Sequence, residues 1–245
     1  MGKKAGDALT LGAMNAPVKH PTEVLPEILP PDPLALLSQW MAESWRQKLQ
    51  PNPNAMVLAT SEPDGRPSAR VVLCKQIEAE PGYLVFFTNY LSRKGQQLAR
   101  NPRAAAVIHW DALHRQVRIE GPVVQAPPAD SDAYFASRAW QSRVGAWASQ
   151  QSEPVASREI LRKAVASTAT RLGVPDPIQA PDDTDEHTIP RPPHWGGYRL
   201  WADSVELWVE GEGRIHDRAR WTRELEPQSD GLFRAGPWSA TRLQP

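Results

Sequence analysis

Basic side chains gather in three segments of the sequence, where they could hold an anion such as a phosphate. Arg70 and Lys75 bracket a short apolar run, and Arg93 and Lys94 follow Ser92 at the start of a predicted helix. A helix N-terminus already favours anions through its unpaired N–H groups and partial positive charge, so cations there are poorly placed unless they serve an anion. Two solvated side chains on an exposed turn would explain Arg93 and Lys94 taken alone.

The third basic segment, residues 214–223, has the composition of a strand. The period of two along a strand would put four basic side chains on one face: Arg214, His216, Arg218 and Arg220. Cations on one strand face repel each other unless something anionic lies against them. Two interpretations stay open: a ligand site, or a solvated face whose partners are Glu206 and Glu210 of the neighbouring strand.

The spacing of Arg70 and Lys75 bears on how many anions are bound. Their odd separation places them on opposite faces of a regular strand, so one ligand would not easily contact both. They could be a simple pair of strand-end charges. Two phosphates at neighbouring sites, one from a cofactor and one from a substrate, would instead account for all the separated basic clusters.

The overall charge excludes several classes of partner. Lysine plus arginine and aspartate plus glutamate both number 28 in 245 residues, so the formal net charge is zero. This removes the electrostatic case for a nucleic-acid binder or a membrane-surface binder. No apolar run approaches the ~20 residues needed to cross a bilayer, and no apolar segment follows the first four residues. We therefore expect a cytoplasmic protein.

Cysteine and histidine give no metal signature. Cys74 is the one cysteine, and its apolar neighbours predict a buried structural thiol rather than a nucleophile. The six histidines show no paired ligand spacing. We predict no metal site.

Several short β-rich runs and fewer helical runs alternate along the chain. Strands are predicted at residues 55–60, 68–75, 83–88, 104–110, 116–125, 195–200, 204–210 and 214–223, with a closing strand-like segment. Helices are predicted after Asp32-Pro33, after Ser92, and at residues 131–138, 142–147 and 157–172, the last ending at Gly173. The first three strands are typical of an antiparallel meander. The tight strand spacing favours a barrel or sandwich over βαβ units.

Two proline-rich segments interrupt this pattern. Residues 1–31 have no sustained period and predict an extended or mobile N-terminal arm. Residues 174–193 combine six prolines with acidic side chains, which is typical of a solvated surface insertion. We expect residues 32–245 to form one domain around that insertion.

Eight motifs occur in an order that identifies a family. They are NAMVLAT (54–60), RVVLCK (70–75), FTN with SRK (87–94), RQV (115–117), YFASR (134–138), GAW with QQS (145–152), WGGY (195–198) and RIHDR (214–218). Together they resemble the pyridoxine/pyridoxamine 5′-phosphate oxidase family, which are FMN enzymes. The resemblance implies an α+β, β-rich fold: an antiparallel split β-barrel with flanking helices. It also implies a homodimer.

The resemblance assigns roles to individual positions. FMN would be held by Arg70, Val71, Val72, Leu73, Cys74, Lys75, Phe87, Thr88, Arg93, Lys94, Gln116, Gln151, Ser152, Trp208 and Arg218. The substrate phosphate would be held by Lys75, Tyr134, Arg138 and Ser142. Arg214 and His216 would cover the substrate ring as the catalytic pair. The sequence departs from the family in its N-terminal arm, because residues 1–31 lack the Arg-x-x-Tyr segment that commonly closes over substrate.

The implied reaction oxidises pyridoxamine or pyridoxine 5′-phosphate to pyridoxal 5′-phosphate, with O2 reduced to H2O2. Two alternatives remain open at this stage. A related split-barrel flavin oxidase, such as those of phenazine biosynthesis, would act on another substrate. A non-catalytic split barrel would bind flavin or haem without turnover, although the full set of substrate-phosphate positions argues against this.

Overall fold

Antiparallel strands dominate the fold of this computed structural model, which describes residues 24–180 and 187–245. In that part of the chain the helices are α1 (Pro33–Gln47), α2 (Arg93–Arg100), α3 (Pro128–Ala136), α4 (Trp140–Ala148) and α5 (Arg158–Leu172). The strands are β1 (Ala55–Ser61), β2 (Pro67–Leu73), β3 (Gln76–Glu78), β4 (Tyr83–Asn89), β5 (Arg103–Trp110), β6 (Arg115–Gln125), β7 (Trp195–Trp201), β8 (Ser204–Val209), β9 (Asp217–Thr222), β10 (Leu225–Pro227), β11 (Phe233–Ala235) and β12 (Ser239–Leu243).

The main sheet curls because β6 changes partner along its length. Its first half pairs with β8 through residues 115–120, and its second half pairs with β7 through residues 123–125. Gly121 lies at the change, where an added Cβ would stand 1.8 Å from the carbonyl oxygen of Trp201. The strand order is β12-β9-β8-β6-β5-β1-β2, with β7, β4 and β3 continuing from β6. The predicted β-rich split barrel is confirmed.

Alternating burial places one face of β1, β5 and β6 in the core. In β5, Ala104, Ala106, Ile108 and Trp110 are buried and their neighbours are not. Helices α3, α4 and α5 surround a second, smaller core that contains Phe135, Val144 and Trp195. No helix of the described residues is both long and apolar enough to cross a membrane.

The predicted helix caps are present. Asp32 accepts a hydrogen bond from the Leu34 N–H at 2.9 Å, and Ser92 and Ser157 cap α2 and α5 with their side chains. Gly173 ends α5 with a left-handed φ of 70°. Because these residues satisfy orphan backbone groups locally, the starts of α1, α2 and α5 and the end of α5 were predictable from the sequence.

The predicted meander is wrong in its third strand. β1 and β2 form a hairpin with Val57 opposite Val71, but β4 pairs with β3 and β7 instead of β2. Strand β2 ends at Leu73, and the chain then crosses into β3. This crossing carries the following residues into the other half of the barrel.

The predicted strand at residues 214–223 begins later than expected. Glu212–Arg214 is a single 3₁₀ turn, closed by the Ile215 N–H on the Glu212 carbonyl at 3.0 Å, and β9 starts only at Asp217. The alternation of side chains along a strand therefore applies to Arg218 and Arg220, which lie in β9, but not to Arg214 and His216, which precede it. The four basic side chains do not form one strand face.

Both proline-rich segments are partly packed against the domain. In the first, the Leu25 N–H donates to Asp217 at 2.7 Å and the Leu25 side chain is buried. In the second, Ile189 is buried, and the Pro190 carbonyl accepts from Trp147 Nε1 at 2.7 Å. The remaining parts of these predictions, residues 1–23 and 181–186, lie outside the described residues.

Candidate anion-binding site

A cavity of about 600 Å³ opens between β2, β4, α2, α3 and β7. It is lined by Arg70, Val71, Val72, Leu73, Lys75, Phe87, Thr88, Lys94, Tyr134, Arg138, Gln151 and Trp195. A second cavity of about 250 Å³ shares Arg138, Gln151 and Trp195 with it and adds Ser142. Neither cavity is lined by an aspartate or glutamate among the described residues.

Arg70 and Lys75 line the same cavity, so the interpretation that they face opposite sides is wrong. Because β2 ends at Leu73, the alternation of a regular strand does not reach Lys75. The backbone N–H of Lys75 donates to the Val85 carbonyl at 2.8 Å, and its Nζ lies 5.5 Å from the centre of the Tyr134 ring. One ligand can therefore contact both cations.

Lys94 is a buried cation surrounded by neutral acceptors. Its Nζ donates to Thr88 Oγ1 at 3.0 Å, Ser92 Oγ at 3.0 Å and Gln151 Oε1 at 2.6 Å. Burial, together with the nearby charge of Arg70, lowers the pKa of Lys94 to about 8. An anion beside this ammonium group would offset both effects.

Arg70 is held in the same way. Its guanidinium donates to four neutral oxygens, those of the Leu58 carbonyl, Thr60, Ser68 and Gln97. Burial, with the charge of Arg93 beside it, lowers the pKa of Arg70. The positive charge is thus fixed in place without a counter-charge.

Arg138 lies at the boundary between the two cavities. Its guanidinium carbon is 4.7 Å from the centre of the Trp195 ring and 5.5 Å from that of Phe135. Its Nη1 is buried with no hydrogen-bond partner among the described residues. Burial also lowers the pKa of the Arg138 guanidinium. A buried donor without an acceptor costs roughly 1–3 kcal/mol, so an anionic ligand at this point would be favourable.

Many arginines outside the cavities have carboxylate partners. Ten of those described form ion pairs with carboxylates: Arg66, Arg100, Arg103, Arg115, Arg118, Arg191, Arg199, Arg218, Arg234 and Arg242. Arg70, Lys75, Lys94 and Arg138 have no carboxylate within ion-pair distance in residues 24–180 and 187–245. Four cations without a carboxylate partner therefore lie together around the cavities, which indicates an anion-binding site.

The N-terminus of α2 lies beside these cations, and serine side chains accept from two of its backbone N–H groups. The Arg93 N–H donates to Ser152 Oγ at 3.2 Å, and the Gly95 N–H donates to Ser92 Oγ at 3.4 Å. The Arg93 side chain is exposed, and Ser152 has a left-handed φ of 78°. Arg93 and Ser152, which are both predicted to contact the cofactor, are therefore neighbours next to Lys94.

Three aromatic rings lie almost parallel in the cavity wall. The Phe87 ring is 4.0 Å from Tyr134 at 21° and 5.6 Å from Trp195 at 11°. Gly197 permits this packing, because a Cβ there would stand 2.9 Å from the Phe87 ring. Trp195 was not among the predicted site residues, although its position in the WGGY motif was the available signal. The wall is suited to a flat aromatic ligand.

Cys74 does not line this cavity. Its side chain is buried, and Sγ donates to the Gln76 carbonyl at 3.3 Å. Burial raises the pKa of the thiol to about 12. The predicted inert, structural thiol is consistent with this environment.

A second group of predicted site residues lies on the sheet. Gln116 of β6, Trp208 of β8 and Arg218 of β9 are direct cross-strand neighbours. They face away from the core residues Val117, Leu207 and Ala219, which precede or follow them. The His216 ring is centred 4.7 Å from the Trp208 ring. None of these residues, nor Arg214, lines the cavities.

The two interpretations of the basic strand face can now be compared for Arg218. Arg218 pairs with Glu206 at 2.7 Å, and Arg118 also reaches Glu206 at 3.2 Å. Glu210 instead contacts His114 at 2.5 Å. Of the two carboxylates expected on the neighbouring strand, Glu206 is the one that pairs with Arg218 among the described residues.

The fold and the site together define a split-barrel protein with a cation-rich cavity and an aromatic wall. Residues 41–171 match the family model described as pyridoxamine 5′-phosphate oxidase, and residues 195–245 match the model described as pyridoxine 5′-phosphate oxidase C-terminal dimerisation region. The chain belongs to the pyridoxamine 5′-phosphate oxidase family.

Curated relatives and a solved structure agree with this family. Proteins named pyridoxine/pyridoxamine 5′-phosphate oxidase, from Paraburkholderia phymatum and Burkholderia cenocepacia, are each 46% identical over 88% of this chain and 90% of their own. The crystal structure of PhzG from Burkholderia lata 383, in complex with tetrahydrophenazine-1-carboxylic acid, superposes with a TM-score of 0.73 at 30% identity. It covers 88% of this chain and 94% of PhzG. The chain is thus an oxidoreductase of this family type.

Proposed function

We propose that this protein is an FMN-dependent oxidase that converts pyridoxamine or pyridoxine 5′-phosphate to pyridoxal 5′-phosphate and reduces O2 to H2O2. The observation that carries the proposal is the group of four cations without carboxylate partners around two joined cavities. Their number suits two phosphates, one on the cofactor and one on the substrate.

The residues present fit FMN. Arg70 and Lys94 hold fixed positive charge, Arg93 and Ser152 adjoin them, and the backbone donors of α2 begin at the same point. This end of the cavity would hold the cofactor phosphate. When bound, FMN would accept a hydride equivalent from C4′ of the substrate at its N5 and pass the electrons to O2. The residues of the chain would bind and orient both molecules.

The other end of the cavity fits the substrate phosphate. Arg138 offers the buried, unpartnered Nη1, and Lys75 and Tyr134 lie beside it. Ser142 lines the adjoining smaller cavity. The contact of the phosphate with Arg138 would be charge-assisted, which favours phosphorylated over free substrate.

The separated residues are explained by a homodimer. Gln116, Trp208 and Arg218, with Arg214 and His216, would reach the cavity of a second copy of the chain. The outer face of the sheet supports such an interface, because Val57 and Val71 are 42% and 65% exposed and lie opposite each other. Residues 195–245 are also similar to a region described as a dimerisation region. An apolar face of this kind is stabilised by burial against another surface.

A second candidate is an oxidase of the phenazine-biosynthesis type, favoured by the structural similarity to PhzG bound to tetrahydrophenazine-1-carboxylic acid. That ligand carries a carboxylate and no phosphate. It would therefore need fewer of the cations at the Arg138 end. A flavin-binding protein without turnover is a third candidate, and it gives no reason for the unpartnered Nη1 of Arg138.

One experiment separates the three candidates. FMN-loaded protein is mixed in air with pyridoxamine 5′-phosphate, and the aldehyde product and H2O2 are followed together; a parallel reaction contains a reduced phenazine carboxylate. Stoichiometric aldehyde and peroxide from the phosphate substrate support the proposal. Turnover of the phenazine alone favours the second candidate, and no turnover of either supports the third.

A further inference from the structure

The loop between β8 and β9 holds both residues that were predicted to cover the substrate ring. The backbone N–H of Gly211 donates to Nδ1 of His216 at 3.2 Å. An imidazole nitrogen that accepts a hydrogen bond carries a lone pair, so in the neutral ring the proton must lie on Nε2. The ring also packs against Trp208, with centres 4.7 Å apart. The hydrogen bond from Gly211 therefore sets the tautomer of His216, and the two contacts together set the orientation of its ring.

Gly211 is the residue that allows the loop to close this tightly. A Cβ at this position would stand 1.8 Å from the Ile215 carbonyl oxygen and 3.3 Å from Cα of His216. The φ of Gly211 is −119°, an ordinary value, so close approach rather than backbone conformation requires glycine here. Any side chain at position 211 would push the Gly211 amide away from His216.

The same loop presents Arg214 in a conformation that a residue with a Cβ seldom adopts. Arg214 has a φ of 66°, and Gly213 before it has a φ of 62°. The Arg214 side chain is exposed and forms no ion pair with the described residues. Backbone strain of this kind persists only where the surroundings hold it, which is consistent with a loop that is rigid before ligand arrives.

We propose that Gly211 is a positioning residue, whose amide holds His216 as the Nε2–H tautomer so that His216 donates a hydrogen bond to an acceptor atom of the substrate ring. His216 then orients the substrate and does not remove a proton from it. The donor role toward the substrate rests on the proposed function. The tautomer and the role of Gly211 do not.

The tautomer can be tested by nitrogen NMR of FMN-loaded protein labelled with ¹⁵N-histidine, at a pH where the His216 ring is neutral. The His216 signals are assigned by their loss in His216→Gln. We expect a proton-bearing Nε2 and a proton-free Nδ1 in the wild type, and a mixture of tautomers in Gly211→Ala. Glu212→Ala is the matched control, since Glu212 lies in the same loop and is exposed, and it should keep the wild-type pattern. A proton on Nδ1 in the wild type, or an unchanged tautomer in Gly211→Ala, would overturn the proposal.

The donor role can be tested with two substitutions of the ring. Glutamine carries an N–H donor near the position of Nε2, whereas asparagine can accept from Gly211 near the position of Nδ1 but lacks the distant donor. For pyridoxamine 5′-phosphate we expect kcat/KM of His216→Gln to exceed that of His216→Asn by about threefold to tenfold, the range of one neutral hydrogen bond. Equal values or the reverse order would overturn the donor role. If wild-type protein oxidises no pyridoxamine 5′-phosphate, the proposed function fails while the NMR result still decides the role of Gly211.

Discussion

Lys94 donates a 2.6 Å hydrogen bond to Gln151, which lies 57 residues further along the chain. This contact joins α2 to the segment after α4 and brings a buried ammonium group to the wall of the larger cavity. Thr88 accepts from the same ammonium group at 3.0 Å. Because all these acceptors are neutral, the contact orients the charge of Lys94 without cancelling it. The charge remains available to a ligand.

Replacing both cations at the start of α2 should abolish tight FMN binding. Arg93→Ala combined with Lys94→Ala removes two charge-assisted contacts, each worth roughly 1.5–3 kcal/mol, so the Kd for FMN should rise at least about a hundredfold. Quenching of flavin fluorescence measures this Kd. Arg100→Ala is the control, because Arg100 lies at the other end of α2 and pairs with Glu62. Unchanged affinity in the double variant would contradict the assignment of the cofactor phosphate.

FMN affinity should fall as the pH rises above about 8. The lowered pKa of Lys94, about 8, means that the ammonium group of FMN-free protein loses its proton in this range, so binding must then be coupled to proton uptake. The Kd should increase by up to about tenfold per pH unit above that value. In Lys94→Arg the positive charge persists above pH 8, so the Kd for FMN should change less with pH. Parallel curves for the two proteins would argue against a role of Lys94 charge in binding.

Arg138→Ala should weaken substrate binding and spare the flavin. The variant removes one charge-assisted contact, so KM for pyridoxamine 5′-phosphate should rise on the order of tenfold to a hundredfold, while FMN content stays at the wild-type level. Steady-state kinetics and flavin absorbance measure the two effects. Arg158→Ala, at an exposed position in α5, serves as the control. Loss of flavin with unchanged KM would assign Arg138 to the cofactor instead.

A charge on the outer face of the sheet should separate the dimer. Val57→Asp would bury a carboxylate without a partner in the proposed interface, which costs several kcal/mol. Light scattering should then show a monomer where the wild type is a dimer. Val155→Asp, which replaces another exposed valine between α4 and α5, should leave the mass unchanged. An active, FMN-loaded wild-type monomer would contradict the dimer itself.

Local chemistry made much of this molecule predictable from its sequence. The caps at Asp32, Ser92 and Gly173 act on groups within a few residues, and Lys94 is recognisable as an anion-binding cation because it lies at the start of α2. The shared cavity of Arg70 and Lys75 was not predictable, since it depends on β2 ending at Leu73. That end is set by pairing with β1 and by the crossing into β3, which are tertiary features that periodicity does not encode.

Composition gave a wrong expectation for two irregular segments that pack against the domain. Residues 24–31 and 187–193 are rich in proline, which predicts the absence of helices and strands but not the absence of contacts. Leu25 and Ile189 are nevertheless buried, and Arg242 donates to the Pro26 carbonyl at 2.8 Å. Likewise, the sequence predicts a strand where Arg214 lies in a loop, because a short 3₁₀ turn has no periodic signature.

In the proposed dimer, the cavity of one chain and the sheet residues Gln116, Trp208, Arg214, His216 and Arg218 of the other would form one site, so a symmetric dimer would contain two sites. Two different defects can therefore compensate for each other. Arg138→Ala impairs the cavity half, and His216→Ala impairs the sheet half. A mixed dimer of these variants concentrates both defects in one site and leaves the other intact. Random mixing of the two impaired chains should thus give about a quarter of all sites with wild-type kinetics, a form of intersubunit complementation.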